Sequence, residues 1–147
     1  MEFTDVFKKK IGALFGLPQA AAAGSHKGLI LIADDDASLR NVMSRSLTRS
    51  GYEVLQAEDG ERAVQVYREH RPDIVLLDIY MPRKNGLKVL EELAGEMAGT
   101  VFVILTGNED EEMARACLKM GASDYIPKPV DNAALERLIS GHLLKRS

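Results

Sequence analysis

Short apolar runs alternate with segments of helical periodicity from residue 28 to the end of the chain. Five runs have the length and β-branched content of strands, at residues 28–33, 53–57, 73–78, 101–105 and 123–126. Between and after them, apolar residues recur every three or four positions, which predicts helices over 37–50, 61–70 and 86–97, a fourth ending at Gly121 and a fifth near the C-terminus. This alternation is typical of βαβ units that build a parallel sheet.

Periodicity also predicts which side chains face the core. The predicted inward stripes are, helix by helix, Leu39, Val42, Met43 and Leu47; Ala63, Val66 and Tyr67; Leu87, Leu90, Leu93 and Met97; Met113, Ala116, Cys117 and Met120; and Leu135, Leu138 and Ile139. The first, third and fourth strands are apolar throughout, so helices should cover both of their faces. Right-handed crossovers with one reversal then predict an α/β, flavodoxin-like doubly wound sheet of order 2-1-3-4-5 with five helices.

Carboxylates follow two of the predicted central strands. Asp34 and Asp35 come directly after the first strand, and Asp78 closes the third. The carboxyl ends of parallel strands meet at one edge of the sheet, and ligands bind there at the point where the strand order reverses. Crowded like charges need a cation, and a hard divalent ion with oxygen ligands leaves room for a phosphate oxygen. The sequence therefore predicts a magnesium site.

Two further strand ends carry polar residues. Thr106 follows the fourth strand, and Lys128–Pro129 follows the fifth after Pro127. Together with the three aspartates, these positions resemble the receiver domain of bacterial two-component response regulators, in a form similar to the chemotaxis regulators. The resemblance covers about residues 28 to 146. It implies a phosphorylation-dependent signalling switch.

The resemblance also implies a role for each site residue. Asp78 is the nucleophile that accepts a phosphoryl group from a histidine kinase, a histidine phosphotransfer protein or a small phosphodonor. Asp35 binds magnesium directly, Asp34 acts mainly through a coordinated water, and the backbone carbonyl of Tyr80 supplies another oxygen. Lys128, joined to Pro129 by a cis peptide bond in the family, reaches the phosphoryl oxygen. Such a domain catalyses its own phosphorylation and dephosphorylation but is mainly regulatory.

The switch implied by the resemblance lies at the next strand ends. The hydroxyl of Thr106 would move toward the phosphoryl group, and Tyr125 would fill the space that it leaves. The surface made by helix four, strand five and helix five would then change for a partner that the sequence does not identify.

Asp36 falls on a variable position of the family, where capping the first helix is the expected role.

Length and composition narrow the setting. A chain of 147 residues suits one domain of ordinary size. The net charge is -3 with both signs interspersed, so we expect no direct binding to nucleic acid. Cys117 is the single cysteine, which excludes an internal disulfide and fits a reducing compartment. The expected location is the cytoplasm, because the phosphodonors and nucleotides are found there.

The first 27 residues are predicted to form an extension to a receiver domain that spans 28–147. Their apolar residues fall on one arc of a helix, which predicts a short amphipathic helix ended by Pro18: Phe3, Val6, Phe7, Ile11, Leu14 and Phe15. Residues 19–26 have the composition of a linker, and Gly24–His26 resembles a cloning scar, so native and cloning origins both stay open. Any membrane contact is expected only through residues 3–15.

Two alternatives to a self-contained switch remain. The chain could be a receiver fragment of a larger hybrid kinase or transcription regulator. It could also be a degenerate receiver that serves as a phosphorylation-independent scaffold, although the complete set of polar strand ends argues against this.

Overall fold

Strands and helices alternate along the described part of the chain, which in the computed structural model covers residues 27–107 and 109–146. The strands are β1 Leu29–Ala33, β2 Glu53–Ala57, β3 Ile74–Asp78, β4 Val101–Thr106 and β5 Asp124–Pro127. The helices are α1 Ala37–Arg49, α2 Gly60–His70, α3 Gly86–Leu93, α4 Glu111–Lys119 and α5 Asn132–Arg146. Residues 1–26 of the extension predicted over 1–27 lie outside the described residues.

The five strands form one parallel sheet in the order β2-β1-β3-β4-β5, as predicted. Ile30 of β1 is opposite Ile74 of β3, and Ile74 is opposite Val101 of β4. This register brings the carboxyl ends of β1, β3 and β4 to the same edge. Every residue of β3 is buried, which confirms its predicted central position.

Alternate residues of the central strands feed two separate apolar layers. On one face, α2, α3 and α4 pack on the sheet around Tyr67, Leu90 and Phe102. On the other face, α1 and α5 contribute Met43 and Ile139. Because both faces are covered, the sheet is held rigidly and the loops at its carboxyl edge are left to form the site.

Two details of the predicted helices are wrong. Val42 was placed inward, but it is 53 % exposed, whereas Met43 and Leu47 of the same helix are buried. Val42 lies about 100° around the helix from Met43, outside the stripe that contacts the sheet. The third helix was extended to Met97, but it ends at Leu93 because Ala94 leaves the helical region and Gly95 takes a φ of 90°.

The first three helices begin with a side-chain cap. The carboxylates of Asp36 and Asp59 accept hydrogen bonds from Leu39 N (3.2 Å) and Arg62 N (2.8 Å), and Asn85 does the same for α3. The predicted capping role of Asp36 is therefore confirmed. Asp110, at the start of α4, makes no such bond to its helix; its Oδ2 accepts one from Gly107 N at 2.9 Å instead.

The loop between β3 and α3 presses against the start of α2. A Cβ atom added to Gly60 would lie 2.0 Å from the Lys84 carbonyl oxygen, so only glycine, which has no Cβ, fits at this position. Arg83, which adopts a left-handed backbone conformation (φ 71°), places its Nε 3.2 Å from Asp59 Oδ2. These contacts fix the loop that follows Asp78.

Among residues 27–107 and 109–146, no helix has the length and apolar character needed to cross a bilayer.

Candidate functional site

The adjacent strands β1 and β3 bring together three carboxylates that are distant in sequence. Asp34 is fully buried, Asp78 is 6 % exposed, and Asp35 is exposed at the rim. One carboxylate oxygen of each lies within 4.8 Å of the others. We call Asp34, Asp35 and Asp78 the acidic cluster. The proximity predicted from strand ends is therefore present in the fold.

Lys128 reaches into the acidic cluster from the end of β5. Its Nζ lies 2.9 Å from Asp34 Oδ2 and 3.2 Å from Asp78 Oδ1. Its backbone N–H donates to the Thr106 carbonyl (2.6 Å), which joins the chain after β5 to the end of β4. The bond between Lys128 and Pro129 is cis. One ammonium thus faces two buried carboxylates.

Burial and crowding change the ionisation of this group of side chains. Burial, and after it the charge of Asp34, raise the pKa of Asp78 from its ordinary value to about 6, although the Lys128 ammonium opposes both. Burial alone would lower the pKa of Lys128, but hydrogen bonds and charge attraction from Asp34 and Asp78 outweigh it and the pKa is raised. The cluster therefore holds excess negative charge around a protonated lysine.

The polar atoms of Asp34 show that the cluster can accept a cation. Its N–H donates to the Ala57 carbonyl (3.2 Å), its Oδ1 accepts from Asp36 N (2.9 Å), and its carbonyl accepts from Arg40 Nη1 (2.6 Å). Within the described residues, the buried Oδ2 is paired with the Lys128 ammonium at 2.9 Å and has no further partner. A carboxylate oxygen with lone pairs left over beside two other carboxylates suits a hard divalent ion such as magnesium.

The other predicted site residues lie around this cluster. Thr106, at the end of β4, is 5 % exposed. The side chain of Tyr80 points outward and is 55 % exposed. The negative charge of Asp110 and its hydrogen bond with the Tyr80 hydroxyl raise the pKa of this phenol. The loop containing Tyr80 is closed by a hydrogen bond from Gly86 N to the Ile79 carbonyl at 2.6 Å.

Tyr125 is separate from the cluster. It is 50 % exposed and lines an open groove of about 480 Å³ between α4 and β5, together with Thr106, Gly107, Glu111, Ala114, Arg115, Leu118 and Pro127. We call this the α4–β5 groove. Thr106, the last residue of β4, borders both the groove and the end of the sheet where the cluster lies.

Sequence reasoning missed two side chains at the site. Arg40 of α1 bonds the Asp34 carbonyl, and its Nε donates to Gln56 Oε1 of β2 at 3.1 Å. The available signal was an arginine about one helical turn after the acidic loop, on the side of the helix that faces this loop. This signal is weak, because most arginines in a first turn are simply solvated.

A flavodoxin-like sheet with an acidic cluster where the strand order reverses defines a class of α/β domain. The site of such a domain suits a cation and an anion together. Comparison with known proteins makes the assignment specific. The family model of the response regulator receiver domain matches residues 30–140. The chain belongs to this family, and so to two-component phosphoacceptor signalling.

Individual relatives agree with the family. Response regulator MprA of Mycobacterium sp. (strain KMS) is 40% identical over 111 residues, 76% of this chain and 47% of that protein. The probable transcriptional regulator ycf27 of Porphyridium aerugineum is 37% identical over 113 residues, 77% of this chain and 47% of that protein. The chain thus spans about half the length of the curated relatives that it matches.

A solved structure is similar over most of the domain. The CheY-like response regulator receiver domain protein from Methanospirillum hungatei superposes with a TM-score of 0.76 at 29% identity, over 80% of this chain and 94% of that one. The predicted fold and family are confirmed.

Proposed function

We propose that Asp78 accepts a phosphoryl group from a histidine kinase or a histidine phosphotransfer protein and that this controls a partner protein. The observation that carries the proposal is the buried Asp78 carboxylate, 3.2 Å from the Lys128 ammonium and grouped with Asp34 and Asp35. A carboxylate that served only to cap a helix or to solvate a turn would have no need for these three partners.

The chemistry is a transfer between two nucleophiles. A carboxylate oxygen of Asp78 attacks phosphorus, the P–N bond to the donor imidazole breaks, and the imidazole keeps the electron pair and takes up a proton. The product is an acyl phosphate. The Lys128 ammonium is placed to hold a phosphoryl oxygen, and hydrolysis of the acyl phosphate by water would return the free carboxylate.

Asp34, Asp35 and Asp78 would hold magnesium, with the Tyr80 carbonyl as a further oxygen ligand. Bound magnesium would supply charge neutralisation for the transferring group. Burial and the neighbouring carboxylate disfavour the ionised form of Asp78, so its pKa is raised to about 6. A bound cation would offset this and favour the ionised form, which acts as the nucleophile. Near pH 7 the carboxylate is already mostly ionised.

Signal output would use Thr106 and Tyr125. The acyl phosphate adds acceptor oxygens beside the end of β4, and the buried Thr106 hydroxyl can donate to one of them. Its movement would leave room at the α4–β5 groove for Tyr125 to turn inward. The surface formed by α4, β5 and α5 would then differ between the two states, and a downstream protein would read it.

The setting is also part of the proposal. We place residues 28–147 as the receiver and 1–27 as an extension, in the cytoplasm, without direct contact to nucleic acid. A second candidate is a receiver within a longer transcription regulator, because the chain spans only 47% of the probable transcriptional regulator ycf27. In that case the output partner of the α4–β5–α5 surface would be a further domain.

Intact-mass measurement after incubation with magnesium and acetyl phosphate tests the proposal. The wild type should gain one phosphoryl group and Asp78→Asn none. Asp36→Asn is the matched control, because Asp36 lies in the same acidic loop and asparagine is an equally good helix cap. It should be labelled like the wild type. Equal labelling of Asp78→Asn would refute the assignment.

A further inference from the structure

Arg40 is the one side chain, among the described residues, that bonds the backbone of the fully buried Asp34. Its Nη1 donates to the Asp34 carbonyl at 2.6 Å, and its Nε donates to Gln56 Oε1 at 3.1 Å. One guanidinium therefore ties the loop after β1 to the end of β2. The planar fork of arginine is suited to two such bonds at fixed directions.

The remaining contacts of Asp34 show what this tie controls. The peptide N–H is held by the Ala57 carbonyl and Oδ1 by the N–H of Asp36, so the peptide and one carboxylate oxygen are fixed from several sides. Oδ2 is paired only with the Lys128 ammonium among the described residues and lies beside the other carboxylates. The direction of this oxygen depends on the backbone and side-chain torsions of Asp34. Arg40 helps to fix the backbone torsions, because it holds the Asp34 carbonyl.

We infer that Arg40 is a positioning residue for the acidic cluster: by holding the Asp34 carbonyl against Gln56, it presets Asp34 Oδ2 for a divalent cation. This rests on the proposed function, since the cation is the magnesium of phosphoryl transfer. The guanidinium itself touches neither the cation nor the phosphoryl group. Its effect is to reduce the reorganisation needed when the cation binds, which strengthens binding without adding a ligand.

Charge has an opposite effect that the experiment must separate. A positive guanidinium near the cluster repels a divalent cation, so removing the charge would strengthen binding while loss of positioning weakens it. Arg40→Lys keeps the charge and removes the fork. Arg45→Lys is the matched control, an exposed arginine on the same helix with the same substitution. Gln56→Ala removes the second anchor and leaves Arg40 intact.

The magnesium dissociation constant, measured by calorimetry on the full chain, is the main readout, with metal-free thermal unfolding beside it. Arg40→Lys should bind magnesium about three- to tenfold more weakly, and Gln56→Ala about two- to threefold. Arg45→Lys should bind like the wild type. A merely structural arginine would lower the melting temperature and leave the dissociation constant unchanged.

Unchanged magnesium affinity in Arg40→Lys would overturn this inference while leaving the proposed function intact, and so would an equal loss in Arg45→Lys. A wild type that binds no magnesium would instead overturn the metal part of the proposed function, and this inference with it.

Discussion

The two ends of the sheet's carboxyl edge are built differently. Around β1 and β3, three helices begin with side-chain caps, and the loop after Asp78 is pressed against α2. Around β4 and β5, Asp131 caps α5, but α4 begins without a side-chain cap and Tyr125 borders an open groove. A phosphoryl-binding site gains from rigid walls, whereas a surface that changes shape needs alternative packing within reach.

The comparison also explains why the same residue types behave differently in the two regions. Asp78 and Asp34 are buried charges that only a cation or a lysine can balance, so their positions must be fixed. Thr106 is buried but neutral, and Tyr125 is half in solvent, so neither is held by a buried charge. The difference predicts where substitutions should be severe and where they should be mild.

The largest expected effect is on the rigid side. Gly60→Ala forces a Cβ to within 2.0 Å of the Lys84 carbonyl, so α2 and the loop after β3 must separate. We expect urea unfolding to show a loss of about 3 kcal/mol. Gly141→Ala in α5 is the control: nothing lies within 4 Å of its added Cβ, and alanine should stabilise that helix by about 0.5–1 kcal/mol. A Gly60→Ala protein as stable as the wild type would mean that the loop is not held by this contact.

The next effect is a gain of stability at the site. The pKa of Asp78 is about 6 in the folded state, above its ordinary value of 3.8, so its ionisation destabilises the fold as pH rises from about 4 through 6. Metal-free Asp78→Asn should therefore be more stable than the wild type near pH 7, by roughly 1–3 kcal/mol. The gain should shrink toward pH 4, where the wild-type carboxyl is protonated.

Chemical unfolding in a chelator at both pH values measures this. A variant less stable than the wild type near pH 7, or a gain that is the same near pH 4, would show that repulsion and burial at Asp78 are not the cause.

The smallest effect compares two tyrosines. Tyr67 is buried, and its hydroxyl donates to the Glu96 carbonyl at 2.6 Å, so Tyr67→Phe should cost about 1–2 kcal/mol. Tyr125 is half exposed, and Tyr125→Phe should change stability by less than about 0.5 kcal/mol. The two variants remove the same atom and can be compared directly by urea unfolding. Equal losses would contradict the difference in burial and hydrogen bonding between the two tyrosines.

Much of the fold could be predicted from the sequence, because the strand runs are short, strongly apolar and regularly spaced. A run such as residues 101–105, which is apolar on both faces, is expected only in a central strand of a parallel sheet, where helices cover both faces. The ends of helices are harder to predict than the strands. The third helix ends at Leu93, and Gly95 adopts a positive φ, but the periodic apolar pattern continues to Met97 and hides this break.

The candidate site was predictable where it depended on strand ends and not where it depended on tertiary contacts. Asp34, Asp78 and Thr106 each close an apolar run, and parallel topology brings such residues together. Arg40 and Gln56 lie 16 residues apart, and their contact depends on how α1 packs beside β2. The spacing of residues along the chain carries no information about that geometry.

The most direct test of the account records backbone amide shifts as magnesium and beryllium fluoride, a mimic of the phosphoryl group, are added. The wild type should show changes around Asp34 and Asp78 and also through Glu109 to Tyr125, because the proposed switch would carry the occupancy of the site to the α4–β5 groove. Thr106→Ala should keep the first set of changes and lose most of the second. Wild-type changes confined to the loops around Asp34 and Asp78, with residues 109–125 unmoved, would contradict the account.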